Sequence, residues 1–548
     1  MSKIKIYALG GLNETGKNMY VIEIDKNILV FEAGLKYTEG TALGIDYIIP
    51  NIDYLKENKE RIKGIFLTHG HDENIGALGD IIPYLNNVDI YASKFTLDIV
   101  KKDLEPKDMK NVNLIEIKPH KTINVSGINI FPVSLSHSIP DNLGYAVYTK
   151  DGVIFIALDF VFDSLMQGPY KTDIGKLAYI GKQGVLCLLC ESVYAAKPGY
   201  TSPNHRISSL IKETLNTKEN RIIFNVLTSH IYRIQELFNE VSKTNRKVII
   251  MGKKLQNTIN DGINDGYIKV NKDIIGDLSN INDNNVVILV SNEKEKPFSS
   301  LIKIVGGYDK YIKLKEQDTI FIAIPLYEGK EKIYYEVLDN IAKIGCDVVT
   351  LSPKNNLSHH ASSEDIMLMI DLMKPKYYFP IKGEYRYQVE NADLAYKLGI
   401  PKENIFLKQN GEVITIEDGV AIDTYEKVPC GTTLIDGNSN DDVGQLVLKD
   451  REILKDNGIV IVAITLDKKT KKVLSGPEVL TRGFVYVKDN AKLIEDIIKL
   501  SNTIVYENVN GNYLDYNKIK TLIREKLSTF LYKETECNPM IITVLNEI

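Results

Sequence analysis

The sequence predicts an α/β protein of layered sheets that ends in a small α+β domain, on three observations. Over about the first 200 residues, short β-rich runs alternate with turns, and polar residues collect where the runs end. From about residue 205 the rhythm changes to helix–strand alternation, the pattern of a parallel sheet with right-handed crossovers. Beyond a stretch rich in Gly, Asp, Asn and Ser, two strands, two amphipathic helices and a last strand complete the chain.

In order, the first region reads as strands IKIYALGG, MYVIEID, ILVFEAG, IKGIFLTH, VDIYAS, INIFPVSL, GYAVYTK, GVIFIALD and GVLCLLCE, with helical stretches such as FTLDIVKKDL between them. The segment LGGLNETGKN has glycines 10, 11 and 16 before Lys17, but its spacing matches neither a dinucleotide fingerprint nor a P-loop. It reads as a turn with close backbone approach that leaves Lys17 near the strand tips. The second region runs from RISSLIKETLNT through RIIFNVLTSH, KVIIMG, NVVILVS and DTIFIAI to DVVTLSP near 353, after which EDIMLMIDLM gives a helix and KYYFPIKGEYR a strand with a polar tip. YEKVPCGTTLIDGNSNDDVG reads as a linker, followed by strands GIVIVAITLD and GFVYV, helices AKLIEDIIKLSNTIVYENV and YNKIKTLIREKLSTFLYKE, and strand PMIITVL.

With 548 residues the chain has room for roughly three or four domains. A hydrophobic content of 44 % and a charged content of 25 % are those of an ordinary globular protein, which excludes collagen-like and disordered classes. No run approaches the roughly 18 uncharged apolar residues of a membrane span, and MSKIKIYALGG enters a strand pattern directly, so the expectation is a cytoplasmic protein without membrane attachment. Five scattered cysteines fit reduced thiols, and the CxxC of Cys187 and Cys190 lies inside an apolar strand rather than in a metal knuckle. Seventy-two acidic against 67 basic residues give a net charge of -5, so any contact with a polyanion requires a local basic groove assembled by the fold.

The chemistry centres on LTHGHDENIGAL. His69 and His71 follow a strand end, His137 ends INIFPVSLSH, and Asp159 ends GVIFIALD. Three imidazoles and one carboxylate at three strand tips form a coherent ligand set for Zn²⁺.

These residues, together with GGLNETGKNMYVIE, SHSIPDNLG, IALDFVFD, ESVYAAKPGYTSP, SHHASSEDIMLMIDLMKPKYYFPIKGEYRY and SGPEVLTRGFVYV, resemble the ribonuclease J family of the β-CASP group, within the metallo-β-lactamase superfamily. The resemblance spans essentially the whole chain. It implies a metallo-β-lactamase αββα sandwich (1–204 and 355–425) interrupted by a β-CASP domain (205–354), then a linker (426–447) and a C-terminal domain that assists dimerisation (448–548). Active members use two zinc ions to activate a bridging water against an RNA phosphodiester. Carried over residue by residue, His69, His71 and His137 hold the first ion, and Asp159 is the carboxylate shared between ions. The resemblance gives catalytic roles to Glu73, Asp159 and His360. It gives RNA or phosphate contact to Glu191, Ser229, Arg233, His360, Ala361 and Ser362, the last three at a helix start whose N–H groups favour an anion.

The second ion's ligands depart from the pattern. Glu73 replaces Asp, Asn74 replaces His, and Lys382 stands where a late His is expected. Lysine brings three donors and no acceptor. At about 4 Å from a dication, with an effective dielectric of about 20, its repulsion is on the order of 8 kcal/mol. The expectation is that Lys382 takes the second ion's place as a cation on Asp159 and Glu73, leaving at most one Zn²⁺. Further departures are Asn356 for a family His, His230 for Asn, and Glu293, Lys294, Glu295 and Lys296 in place of small residues. This pattern is most like the type 2 branch of the family. It implies a weakly active or inactive subunit for mRNA turnover and rRNA processing, acting on 5′-monophosphorylated RNA as a homodimer or beside a catalytically complete paralogue. The alternatives are an active metal-dependent 5′-to-3′ exoribonuclease with endonuclease activity, and a small-molecule metallohydrolase.

Overall fold

The computed structural model describes residues 3–38, 44–85, 87–292, 296–326, 329–437, 445–484, 490–508 and 515–548, and the architecture below is that of these residues. They divide into two compact units, one of Met1–Gly40 with Ile45–Asn440, the other of Asp441–Ile548 with Thr41–Gly44.

The first unit begins as two facing sheets. One has eight strands in the order Val420–Ile422, Ile414–Glu417, Lys3–Gly10, Met19–Ile24, Asn27–Phe31, Ile62–Phe66, Val88–Ala92, Val112–Glu116. The other has six, in the order Tyr377–Ile381, Val185–Glu191, Gly152–Ala157, Leu143–Thr149, Ile128–Ser134, Ile123–Val125. Met19–Ile24 and Val185–Glu191 are buried at every position, because a strand covered on both faces has no solvent side to alternate with. Cys187 and Cys190 are buried there, and burial pushes both thiols up. Between the sheets Phe31 stacks on Phe66 at 5.1 Å between centroids, and Phe66 on Tyr91 at 4.8 Å. Tyr145 meets them edge-on, and its hydroxyl donates to the Leu67 carbonyl at 2.6 Å, beside the loop that carries His69.

The β-CASP portion is a five-stranded parallel sheet in the order Lys247–Ile250, Val286–Asn292, Ile222–Leu227, Thr319–Ile322, Asp347–Thr350, with an apolar cluster on each face. One of these clusters continues into the sandwich through Phe95, Ile139, Val161, Met166 and Tyr170, so a common core fixes the two parts against each other. Tyr377–Ile381 then pairs in parallel with Val185–Glu191, and Ile414–Glu417 pairs with Lys3–Gly10. The chain thus leaves the sandwich and returns to it.

The stretch expected to be a linker departs from that expectation. Thr432–Ile435 forms a strand antiparallel to Tyr47–Pro50, because its alternating Thr, Leu and Ile side chains supply a β pattern that the surrounding Gly and Asp masked, and the helix Gln445–Asn457 begins before 447. In the second unit Ile459–Leu466 alternates buried and part-exposed residues between Val473–Arg482 and Met540–Glu547. The helices Ala491–Glu507 and Tyr516–Thr535 cover its buried face. The strand read over GFVYV falls largely in residues 485–489, outside the described residues. Val473–Arg482, which alternates less clearly because of Gly476 and Pro477, is the partner strand.

Arg221 is buried in the β-CASP portion, with Nε and an NH2 group donating to the two Asp318 oxygens at 2.8 and 2.6 Å. Asp318→Ala leaves that guanidinium without its carboxylate and is expected to cost about 3–5 kcal/mol in urea unfolding. Lys94→Ala, which removes an exposed pair with Asp265, is expected to cost less than about 1 kcal/mol in the same measurement.

Candidate functional site

Strand ends from both sheets meet at one edge of the sandwich. His69 and His71 sit after Ile62–Phe66, His137 after Ile128–Ser134, Asp159 after Gly152–Ala157, Glu191 closes Val185–Glu191, and Lys382 follows Tyr377–Ile381. Three imidazole nitrogens converge: His69 Nε2 lies 3.0 Å and His137 Nε2 3.3 Å from His71 Nδ1. Ligands about 2.0–2.1 Å from a tetrahedral zinc are separated by about 3.4 Å, so the spacing fits one ion. Two of the remaining nitrogens are engaged, His137 Nδ1 at 2.8 Å from the His359 carbonyl and His69 Nδ1 at 2.8 Å from Thr68 Oγ1. A carbonyl accepts from Nδ1–H and thereby leaves the His137 Nε2 lone pair for a metal. Burial, reinforced by His69, holds His137 well below the usual histidine range, in the neutral form that a ligand needs.

The neighbouring position is filled differently. Lys382 Nζ is buried, donates to Asp159 Oδ2 and lies 4.0 Å from Glu73 Oε1. His360 Nδ1 stands between Glu191 Oε2 at 2.8 Å and Asp159 Oδ1 at 3.1 Å. Burial opposes a charge on His360, but the Glu191 and Asp159 carboxylates outweigh it and push its pKa up to about 10. Burial likewise works against the Asp159 carboxylate, yet Lys382 and His360 hold its pKa well below the usual range. Asp159, Glu191 and His360 bring potential ligand atoms within 4.8 Å of one another. Lys382 and His360 thus engage the same carboxylates that could serve as ligand atoms at this position.

Family models match four stretches of the chain: a metallo-beta-lactamase superfamily model over residues 12–158, the ribonuclease J beta-CASP domain over 219–341, a Zn-dependent metallo-hydrolase RNA specificity domain over 348–406, and the ribonuclease J C-terminal domain over 446–548. Ribonuclease J2 of Bacillus subtilis strain 168 is 38 % identical over 549 residues, covering 100 % of this chain and 99 % of that protein. Ribonuclease J 2 of Staphylococcus epidermidis and that of Staphylococcus aureus MRSA252 are each 35 % identical, covering 100 % of this chain and 98 % of theirs. This chain belongs to the ribonuclease J family. The relatives named are of type 2, as the altered second metal position leads one to expect. In fold it is also similar to a crystal structure of a protein of unknown function from Enterococcus faecalis V583, with a TM-score of 0.54 at 17 % identity, over 76 % of this chain and 100 % of that one.

As a ribonuclease J-type protein it carries an RNA specificity domain and residues able to hold a metal. A cleft of about 500 Å³ runs between the sandwich and the β-CASP portion, past His71, His137, His360 and Lys382. Lys36, Lys197 and Lys330 also line it, against Glu73 and Glu384, so a local basic groove exists in a chain of net charge -5. Lys197 lies 3.7 Å above the Tyr194 ring.

Several sequence-based placements need correction. Ser229, Glu73 and His360 line the cleft, but Asn74 does not. It is fully buried, its amide has no hydrogen bond among the described residues, and its carbonyl accepts from Ala33 N–H at 2.7 Å. Arg233 is fully buried and donates to the Ala323 carbonyl at 2.8 Å, so it supports the β-CASP sheet from within and does not present its charge to RNA. The N–H groups expected to receive a phosphate are taken: Ala361 N–H donates to Glu191 Oε1 at 3.2 Å, and Ser362 N–H to Asp365 Oδ2 and Thr201 Oγ1, both at 3.1 Å. Ser362 caps the helix Ser363–Met373 in a capping box with Asp365, which consumes the donors an anion would use. Lys17 is buried and held by Glu14 at 2.7 Å. The side chain of Asn356 accepts from Ser352 N–H and closes a turn. Glu293, Lys294 and Glu295 lie outside the described residues.

The structure also adds groups that the strand-tip argument passed over. Glu32 closes Asn27–Phe31, is fully buried, and accepts from Thr68 N–H at 3.0 Å, one residue from His69; burial pushes its carboxyl up to about 8. An acidic residue ending an apolar strand was the available signal. His359 packs against His205, His230 and Tyr232, at ring separations of 4.6, 5.1 and 5.3 Å, and supplies the carbonyl that orients His137.

His360 gives a pH prediction. Its folded pKa is raised, so the stability it contributes is complete below about pH 6.5, the unfolded value, and is lost as pH rises toward about 10. Urea unfolding of chelator-treated protein should show falling stability across that window, and His360→Gln should flatten the slope.

Proposed function

We propose that this chain is a weakly hydrolytic or inactive ribonuclease J subunit, which holds RNA in its basic cleft and acts beside a catalytically complete paralogue in mRNA turnover and rRNA processing. The observation that carries the reading is the buried Lys382 ammonium on Asp159, in the position a second cation would need. A dication brought to about 4 Å of that ammonium meets a repulsion on the order of 8 kcal/mol, more than one weak ligand returns. His69, His71 and His137 would hold one zinc, which supplies a Lewis acid for a phosphate oxygen or water. The chain's own residues do the rest: Glu191 and Asp159 hold His360 protonated at the cleft wall, and Lys36, Lys197 and Lys330 attract the RNA backbone. Two-ion hydrolysis clamps both the attacking and the leaving oxygen. A site reduced to one ion is expected to work slower by orders of magnitude. The intact three-histidine set favours a slow one-metal ribonuclease as the second reading, with preference for 5′-monophosphorylated RNA.

Metal analysis of the purified chain should find no more than one zinc per chain, and turnover of 5′-monophosphorylated RNA should be far slower than that of a fully liganded relative. Lys382→His combined with Glu73→Asp should raise the metal content toward two. Two zincs in the unaltered chain, with full turnover, would overturn the proposal.

A further inference from the structure

A second cavity, of about 410 Å³, lies behind the loop that carries His71. Its wall includes Asp72, Asp80, Asp103, Glu105 and Asp108, and of its two lysines Lys107 is held by Glu105 at 2.9 Å. Asp108 is 4 % exposed, lines this cavity, and its carboxylate accepts no hydrogen bond from any described residue. A carboxylate so buried is normally paired, because its desolvation is otherwise uncompensated. Asp80 feels the same excess. Burial and the neighbouring Asp108 charge raise it above the usual carboxylate range, although the Tyr47 hydroxyl donates to it at 3.1 Å.

We propose that this cavity binds a linear di- or polyamine, with one ammonium group on Asp108 and Asp80 and another toward Asp72. The volume and wall chemistry select this class. Metal-type clusters in which three ligand atoms close to within 4.8 Å are, among the described residues, those of the main site, and none lies here, so a single ion would lack a ready coordination shell. Ile75, Leu78, Val100 and Leu104 line the same cavity, apolar surface that suits the methylene chain between two ammonium groups. The volume is within the range of small-molecule sites. Tyr37 lines both this cavity and the main cleft, and its hydroxyl donates to Asp72 Oδ2 at 2.8 Å. Asp72 sits between His71 and Glu73, so a bound amine would brace the loop that presents them.

The test is calorimetric titration of the full chain, free of RNA, with spermidine, putrescine and Mg²⁺ in separate arms. Saturable spermidine binding is expected, with Asp108→Asn and Asp80→Asn each weakening it on the order of tenfold or more. Both variants should keep or raise the Tm of the ligand-free protein, since each removes one of two neighbouring negative charges and an asparagine at position 80 can still accept from Tyr47, so lost binding would not reflect lost folding. Absence of saturable spermidine binding, an affinity unchanged in both variants, or Mg²⁺ binding the same site as tightly as spermidine would each overturn the proposal.

Discussion

The site is organised around one buried ion pair, Lys382 on Asp159. Neither group is stable alone in that position: a carboxylate at the junction of two sheets and an ammonium beneath the cleft each carry a desolvation cost that only the other offsets. Asp159 then fixes a second cation, His360, which in turn engages Glu191, and Glu191 reaches back to the N–H groups of Phe160 and Ala361.

The three-histidine position beside it follows different rules. Its nitrogens face one another, and the outer nitrogens of His69 and His137 are tied to Thr68 and to the His359 carbonyl, an arrangement that presents lone pairs inward. Two adjacent positions in one cleft therefore differ in character, one lined by imidazole nitrogens and the other by carboxylates engaged by Lys382 and His360. That difference grows from a few side chains, because the strands that deliver them are fixed by a core shared with the β-CASP portion.

Much of the fold was legible from pattern. Continuous apolar runs marked the doubly covered strands, alternation marked Ile459–Leu466, and helix–strand rhythm marked the parallel β-CASP sheet. Reading failed where composition hid geometry. Thr432–Ile435 was lost among glycines and aspartates, and Val473–Arg482 was blurred by Gly476 and Pro477. The present partners of the Ala361 and Ser362 N–H groups were hidden for another reason. A helix start offers donors in sequence, but whether they remain open depends on Asp365, Thr201 and Glu191, two of which are distant along the chain.

The sequence by itself determined the ligand chemistry: imidazoles at 69, 71 and 137, carboxylates at 159 and 191, and a lysine at 382, since residue type fixes what can accept, donate or carry charge. Only the tertiary structure decided who meets whom. Asp159 and Lys382 are separated by 223 residues, and their contact exists because Gly152–Ala157 and Tyr377–Ile381 flank Val185–Glu191 in one sheet. Arg233, by contrast, has the charge for an RNA contact but faces the interior. The physical reason is that charge is a local property of a side chain, whereas burial and partner choice are properties of packing between segments far apart in sequence.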